Sequence, residues 1–104
     1  TGKRSCFSTD LKSNFLLELE EIIEQRLLKS PQDSYVASLN AQGLNEIAQK
    51  VGEEAVETVI EATNGTEDGF IYEASDLVYH LIVLLTSKGL RMEDLIRELK
   101  RRHK

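Results

Sequence analysis

Residues 44–62 read LNEIAQKVGEEAVETVIEA, and this stretch decides the fold because its apolar residues recur at helical spacing. One apolar stripe consists of Leu44, Ala48, Val51, Ala55, Val59 and Ala62. Two further apolar residues, Val56 and Ile60, extend this stripe around the far side of the helix. The polar sector between the two apolar edges contains Lys50, Glu53, Glu54, Glu57 and Glu61. The pattern therefore predicts a long helix that carries a strip of acids between apolar borders.

Apolar spacing and capping residues in the rest of the chain predict three more main helices and one short helical turn. The main helices are expected over residues 15–29, 69–87 and 92–102, and the turn begins at Ser34 and ends at Gly43. Asn14 is the expected N-cap of the first helix, and no run alternates with a strand period of two. We therefore predict an all-α bundle of four main helices over residues 14–104, preceded by a linker over residues 1–13.

Composition and charge limit the classes of partner. The 104-residue chain has a net charge of −5, so it has no electrostatic reason to bind nucleic acid or an anionic membrane. Apolar runs such as residues 81–85 are too short to cross a bilayer. The single cysteine, Cys6, cannot form an internal disulfide, so a reducing compartment, the cytoplasm, is expected. A chain of this length has a small core, and a partner subunit is therefore expected.

A second group of acids lies on the next apolar helix. Its broad apolar arc consists of Phe70, Ile71, Ala74, Leu77, Val78, Leu81, Ile82 and Leu85. Beside the arc, at spacings of three and four, fall Glu73, Asp76 and His80. If the two helices pack as an antiparallel hairpin, the acids that meet are Glu53, Glu54, Glu57, Glu73 and Asp76. Like charges at helical spacing repel by about 0.2–0.5 kcal/mol per pair, and a bound cation would offset this repulsion.

Carboxylate oxygens are hard ligands that suit Mg²⁺ or Mn²⁺, and these ions bridge substrate phosphates and can activate water. The same residues also have ordinary interpretations, because Glu-Glu-x-x-Glu is typical of solvated helix faces as well. Lys50 would contact a substrate phosphate, or it would pair internally with Glu54 or Glu57. His80 would bind and orient Asp76, or it would be a polar residue at a helix–helix boundary.

Flanking residues add a resemblance to a known family. The segments that carry it are SYVASL over residues 34–39, IAQKVGEEAVE over residues 47–57 and EASDLVYHL over residues 73–81. Together they closely resemble phosphoribosyl-ATP pyrophosphohydrolase of histidine biosynthesis, over nearly the whole chain. The resemblance is specific because it includes positions outside the acid set, namely Ser34, Tyr35, Lys50, Gly52, Tyr79 and His80.

The resemblance implies the all-α fold of the nucleotide triphosphate pyrophosphohydrolases, at least a homodimer, and metal binding by the five acids. It also implies hydrolysis of phosphoribosyl-ATP to phosphoribosyl-AMP and pyrophosphate, in which one acid or a metal ion activates the attacking water. Two alternatives stay open. The first is a house-cleaning nucleotide pyrophosphatase of the same superfamily, and the matches at Tyr35 and His80 argue against it. The second is a non-catalytic helical module that dimerises a larger protein.

The first seven residues, TGKRSCF, resemble the last stretch of phosphoribosyl-AMP cyclohydrolase, which catalyses the next step. In many bacteria the two activities are fused, with the cyclohydrolase first. Cys6 matches a zinc-ligand cysteine of that domain, but the other ligands are missing, so no zinc site is expected in this chain. The resemblance implies that the chain is the C-terminal half of a bifunctional protein.

Overall fold

The computed structural model describes residues 2–103, with side chains over residues 15–103. Within this described part the chain forms five α-helices and no strand. They are α1 (Gly2–Leu27), α2 (Tyr35–Gln42), α3 (Leu44–Asn64), α4 (Glu67–Ser87) and α5 (Met92–Arg102). The predicted all-α class is therefore confirmed, with four main helices and the short α2.

Side-chain caps and glycines set the limits of the central helices. The Ser34 hydroxyl accepts a hydrogen bond from the backbone N–H of Ala37 at 3.2 Å, which confirms the predicted start of α2. Gly43 ends α2 with φ 110°, a backbone conformation that favours glycine. The Thr66 hydroxyl accepts from the N–H of Gly69 at 3.0 Å, so α4 begins at Glu67, two residues before the predicted start.

The first helix is longer than its apolar pattern predicts. α1 begins at Gly2, so the prediction that Asn14 is its N-cap is wrong. The segment before Asn14 has no apolar period, but it also contains no proline, and nothing in its backbone chemistry ends a helix. The division into a linker over residues 1–13 and a domain over residues 14–104 stays a prediction.

The centre of the fold is the antiparallel hairpin of α3 and α4, joined by Gly65 and Thr66. α1 and α2 cover the half of this hairpin that contains the start of α3 and the end of α4. The buried core there consists of Ile23, Val36, Leu39, Ile47, Ile82 and Val83. Apolar burial of this kind contributes about 25 cal/mol per Å², so this end of the hairpin holds the fold together.

A buried carboxylate of α1 fixes the start of α5. Glu20 is only 1% exposed and accepts hydrogen bonds from the backbone N–H of Met92 at 2.6 Å and from the Arg91 guanidinium at 3.3 Å. Arg91 also donates to Glu24 at 2.6 Å. Because the first N–H groups of a helix lack partners within the helix, Glu20 satisfies a donor that would otherwise be buried and unpaired.

The other half of the hairpin leaves its apolar faces uncovered. On α3, Val59 is 61% exposed, and Val56 and Ile60 are exposed beside it. On α4, Ile71 is 61% exposed and Val78 is also exposed. The apolar stripe predicted from the sequence is thus real, but most of it faces outward from the single chain.

The apolar character of α4 also satisfies a length-and-composition test for membrane helices, with a mean hydropathy of 1.2 over an 18-residue window. The indication is weak, because core helices of soluble proteins pass the same test. α4 packs along α3 and carries Glu73, Asp76 and His80. Charged groups of this kind are costly inside a bilayer, which favours a helix of a bundle over a membrane span.

Candidate active site

The hairpin brings acids from both helices together. The Glu57 carboxyl of α3 lies close enough to that of Glu73 of α4 to act on its pKa, as do the charges of Glu61 and Asp76. Partial desolvation is the largest cause of the raised pKa of Glu73, followed by the nearby Glu57 carboxyl. Neighbouring acids disfavour the charged form of a carboxyl group. The cluster therefore holds more negative charge than its surroundings compensate.

Glu54 is the acid that points into the hairpin. Its residue is 5% exposed, and among the described residues its Oε1 atom has no hydrogen-bond partner. Oε1 lies 2.6 Å from His80 Nδ1, an ion-pair distance without the geometry of a hydrogen bond. A buried carboxylate oxygen without a donor is costly unless a charge or a ligand compensates it. This oxygen is therefore the strongest local indication of a bound cation.

His80 is held from both sides. Its Nδ1 donates to the backbone carbonyl of Asp76 at 2.9 Å, since a carbonyl can only accept. In the neutral ring, Nε2 then accepts the hydroxyl proton of Tyr35, whose oxygen lies 2.7 Å away. Tyr35 and Tyr79 also pack edge-on against the ring, with centroids at 5.7 and 5.4 Å. The predicted contact with Asp76 is present, but it runs to the backbone, so His80 does not hold the Asp76 carboxylate.

Tyr35 connects this buried histidine to the surface. Burial is the largest cause that raises the pKa of its phenol, and nearby Glu54 adds to the rise, while Lys50 acts in the opposite direction. The phenol therefore stays protonated at neutral pH and can donate to His80. Its residue type alone indicates only packing, so apart from the family resemblance no sequence signal predicts this contact.

Glu53 and Lys50 lie at the outer edge of the site. The exposed Glu53 carboxylate accepts from the Gln49 amide at 3.1 Å and lines a cavity of about 250 Å³ together with Lys50 and Tyr35. Within 4 Å, the described part of the chain offers Lys50 no acidic partner. The internal pairing of Lys50 with Glu54 or Glu57 is thus not observed, and its amine is available to an anion in this cavity.

Glu61 belongs to the same acid strip, although the sequence prediction left it out of the site. Its charge raises the pKa of Glu73, and its carboxylate lies against Gly65 and Gly69, where added Cβ atoms would collide with it. The available signal was its position one turn after Glu57 in the same polar sector. The glycines allow this carboxylate to fold over the start of α4.

The donor chemistry of this face fits a hard divalent cation. Across residues 15–103, no three acid, cysteine or histidine side chains already form a metal centre. However, the unpaired oxygen of Glu54 and the crowded Glu57–Glu73 pair would both gain from such a cation. Oxygen-only ligand sets of this kind select Mg²⁺ or Mn²⁺ over softer metals. The metal roles of Glu53, Glu54, Glu57, Glu73 and Asp76 stay predictions.

Comparison with known proteins adds an independent finding. Residues 16–103 match the family described as phosphoribosyl-ATP pyrophosphohydrolase. The chain is 64% identical to the histidine biosynthesis bifunctional protein HisIE of Bacteroides thetaiotaomicron, covering 99% of the chain and 52% of that relative. It is 45% identical to the HisIE protein of Vibrio cholerae, covering 100% of the chain and 51% of that relative. The chain thus spans about half the length of these curated relatives.

Proposed function

Because the chain belongs to the phosphoribosyl-ATP pyrophosphohydrolase family, we propose that it hydrolyses phosphoribosyl-ATP to phosphoribosyl-AMP and pyrophosphate, the second step of histidine biosynthesis. The observation that carries this proposal is the buried Glu54 oxygen, which lacks a hydrogen-bond donor and faces α4. A solvated acid strip, as in a purely structural module, would not bury such an oxygen. The buried carboxylate therefore favours an enzyme over the alternative of a non-catalytic dimerisation module.

Mg²⁺, or Mn²⁺ in its place, would be held by some or all of Glu53, Glu54, Glu57, Glu73 and Asp76. When bound, the ion would neutralise triphosphate charge and lower the pKa of a water molecule. Lys50 and His80 are proposed to bind the substrate and to position the acids. The Lys50 amine provides a positive charge for a phosphate group at the edge of the site. His80, held by the Tyr35 hydroxyl and the Asp76 carbonyl, lies against the Glu54 carboxylate on the inner side of the hairpin.

The active form is proposed to be a homodimer. The uncovered apolar faces of α3 and α4 support this, as does an apolar groove of about 380 Å³ between α1 and α4 that Phe15, Leu19 and Ile71 help to line. Apolar faces that lie uncovered on neighbouring helices in this way are typical of a subunit interface. Sedimentation of wild type and Val59→Glu tests the proposal. We expect a dimer for wild type and a monomer for the variant, whereas a wild-type monomer at micromolar concentration contradicts it.

The relatives are bifunctional by name and about twice as long as this chain, which supports a fusion with a cyclohydrolase in the full-length protein. A cytoplasmic location is proposed because a biosynthetic step on nucleotides uses intracellular substrates. The prediction that Cys6 forms no zinc site concerns a side chain outside the described residues.

Pyrophosphate release from phosphoribosyl-ATP tests the activity directly. Glu54→Gln keeps the side-chain shape but removes the charge, and we expect turnover to fall by about 10²-fold, as when one charge-stabilising group is removed from a reacting centre. EDTA should abolish turnover in wild type. The control Glu21→Gln changes an exposed acid of α1 outside the site and should leave turnover unchanged.

Two results would contradict the proposal. Full activity of Glu54→Gln, or full activity in EDTA, would remove the carboxylate-bound metal from the reaction. A substrate panel distinguishes the remaining alternative, a house-cleaning nucleotide pyrophosphatase. If ordinary nucleoside triphosphates were cut as efficiently as phosphoribosyl-ATP, this alternative would replace the proposed substrate.

A further inference from the structure

A second cavity adjoins the acid site and has the opposite charge. It has a volume of about 330 Å³, and its lining includes Arg26, Lys29, Ser34, Tyr35 and Tyr79. We propose that this cavity binds the 5′-phosphate of the phosphoribosyl group, which the hydrolysis of the triphosphate leaves intact. The cavity would thereby select phosphoribosyl-ATP over ordinary nucleoside triphosphates. The inference rests on the proposed function and adds a specificity site to it.

The positive charge in this cavity is not used within the fold. Arg26 lies in the last turn of α1, and Lys29 lies two residues after the end of the helix. Neither has an acidic partner within 4 Å in the described part of the chain. Asp33 also lines the cavity and keeps its negative charge, with its carboxylate accepting a hydrogen bond from the Ser30 hydroxyl at 2.8 Å, so two cations there face one acid. In a chain of net charge −5, two cations without ion pairs beside one cavity favour an anionic ligand.

The backbone at the cavity adds to this preference. Three lining residues, Ser34, Tyr35 and Val36, are the N-cap and the first two residues of α2. The N–H groups at a helix start have no partner within the helix, and the helix dipole favours negative charge there. Together with the guanidinium of Arg26, whose planar donors match phosphate oxygens, this supplies a phosphate site that needs no metal ion.

The position of the cavity matches a substrate with phosphates at both ends. Tyr35 lines this cavity and also the cavity that contains Lys50 and Glu53, and its hydroxyl contacts His80 beside Glu54. One tyrosine thus separates the basic cavity from the acid site. Phosphoribosyl-ATP carries a triphosphate, which suits a cation held by acids, and a separate sugar phosphate, which suits protein cations. An ordinary nucleoside triphosphate has no group for the second cavity.

The test compares phosphoribosyl-ATP with the same compound lacking the ribosyl 5′-phosphate. In the double variant Arg26→Gln/Lys29→Gln, we expect KM for phosphoribosyl-ATP to rise by about 10²-fold, roughly tenfold for each charged hydrogen bond that is lost. We expect kcat to stay near the wild-type value, and KM for the dephosphorylated substrate to stay unchanged. The matched control, Lys88→Gln/Lys100→Gln, removes two exposed positive charges outside both cavities and should alter neither substrate.

An unchanged KM for phosphoribosyl-ATP in the double variant overturns the proposal. An equal rise for both substrates also overturns it, because the two cations would then act on the triphosphate or on the fold. Ribose 5-phosphate, titrated calorimetrically into wild type without Mg²⁺, gives a readout that does not depend on turnover. We expect a Kd of about 1 mM, typical of a fragment of this size, and no binding by ribose or by the double variant.

The binding experiment separates failure of the subsite from failure of the proposed function. If wild type binds ribose 5-phosphate through Arg26 and Lys29 but does not cut phosphoribosyl-ATP, the proposed function fails and the phosphate site stands. If wild type cuts phosphoribosyl-ATP but does not bind ribose 5-phosphate at about 50 mM, well above the expected Kd, the proposed function stands and the phosphate site is overturned.

Discussion

The Glu54→Gln substitution distinguishes a metal ligand from a member of a buried ion pair. Glu54 and His80 are both nearly buried, and their closest atoms are 2.6 Å apart. However, the two ring nitrogens of His80 already face the Asp76 carbonyl and the Tyr35 hydroxyl, and Glu54 Oε1 has no hydrogen-bond partner in the described chain. The histidine therefore does not depend on Glu54 for its own hydrogen bonds.

This geometry sets the expected magnitude. Removing one partner of a buried, hydrogen-bonded ion pair costs about 3–5 kcal/mol, because the other charge is left uncompensated. Here the glutamine has the same shape and no buried charge, and His80 keeps both of its partners. We therefore expect Glu54→Gln to change the free energy of unfolding by less than about 1 kcal/mol without a divalent metal. Saturation with Mg²⁺ at one hundred times its Kd should stabilise wild type by about 2.7 kcal/mol and the variant far less.

Urea unfolding, followed by circular dichroism with EDTA and with MgCl₂, measures both quantities. Protein concentration must be the same in every experiment, because unfolding of an oligomer depends on it. Glu21→Gln on the exposed side of α1 is the matched control and should respond to Mg²⁺ as wild type does. A loss of 3 kcal/mol or more in EDTA, with equal Mg²⁺ responses in wild type and Glu54→Gln, would refute the reasoning and make Glu54 a structural ion-pair residue.

Two further predictions concern other carboxylates. Glu20→Ala should destabilise the chain by about 3 kcal/mol in urea unfolding, because the N–H of Met92 loses its buried acceptor, whereas Glu24→Ala should cost less than about 1 kcal/mol. Equal effects would contradict the role given to Glu20. The pKa of Glu73 is raised above its ordinary 4.5, so without metal its charging should reduce stability as pH rises through the raised pKa. Thermal melts in EDTA should therefore show Glu73→Gln more stable than wild type at pH 7 but not below about pH 4.

Much of the fold could be predicted from the sequence because its signals are local. Ser34, Gly43 and the apolar period over residues 44–62 act within a few residues of their own positions. The structure confirms the predicted start of α2 and of α3, and α3 ends at Asn64, two residues after the predicted end. The start of α1 was missed for the opposite reason. A polar segment shows no apolar period, whether it forms a helix or a linker, so the pattern predicts a start at Asn14 that the structure shows to be wrong.

The site was predicted in outline and not in its contacts. Helical spacing predicts that acids of α3 and α4 face each other, and in the hairpin Glu57 of α3 lies close enough to Glu73 of α4 to raise its pKa. The burial of Glu54, against exposure of Glu53 one residue earlier, could not be predicted, because it depends on the rotation of α3 against α4. Contacts between distant segments, such as Tyr35 with His80, likewise depend on how helices pack and leave no local pattern.

The most direct test of a cation site between α3 and α4 is an anomalous-diffraction map from crystals grown or soaked with Mn²⁺. We predict a manganese peak bounded by Glu54 and Glu57 from one helix and by Glu73 and Asp76 from the other. A map at saturating Mn²⁺ without a peak among these four carboxylates, with Glu54 still against His80, would contradict the account.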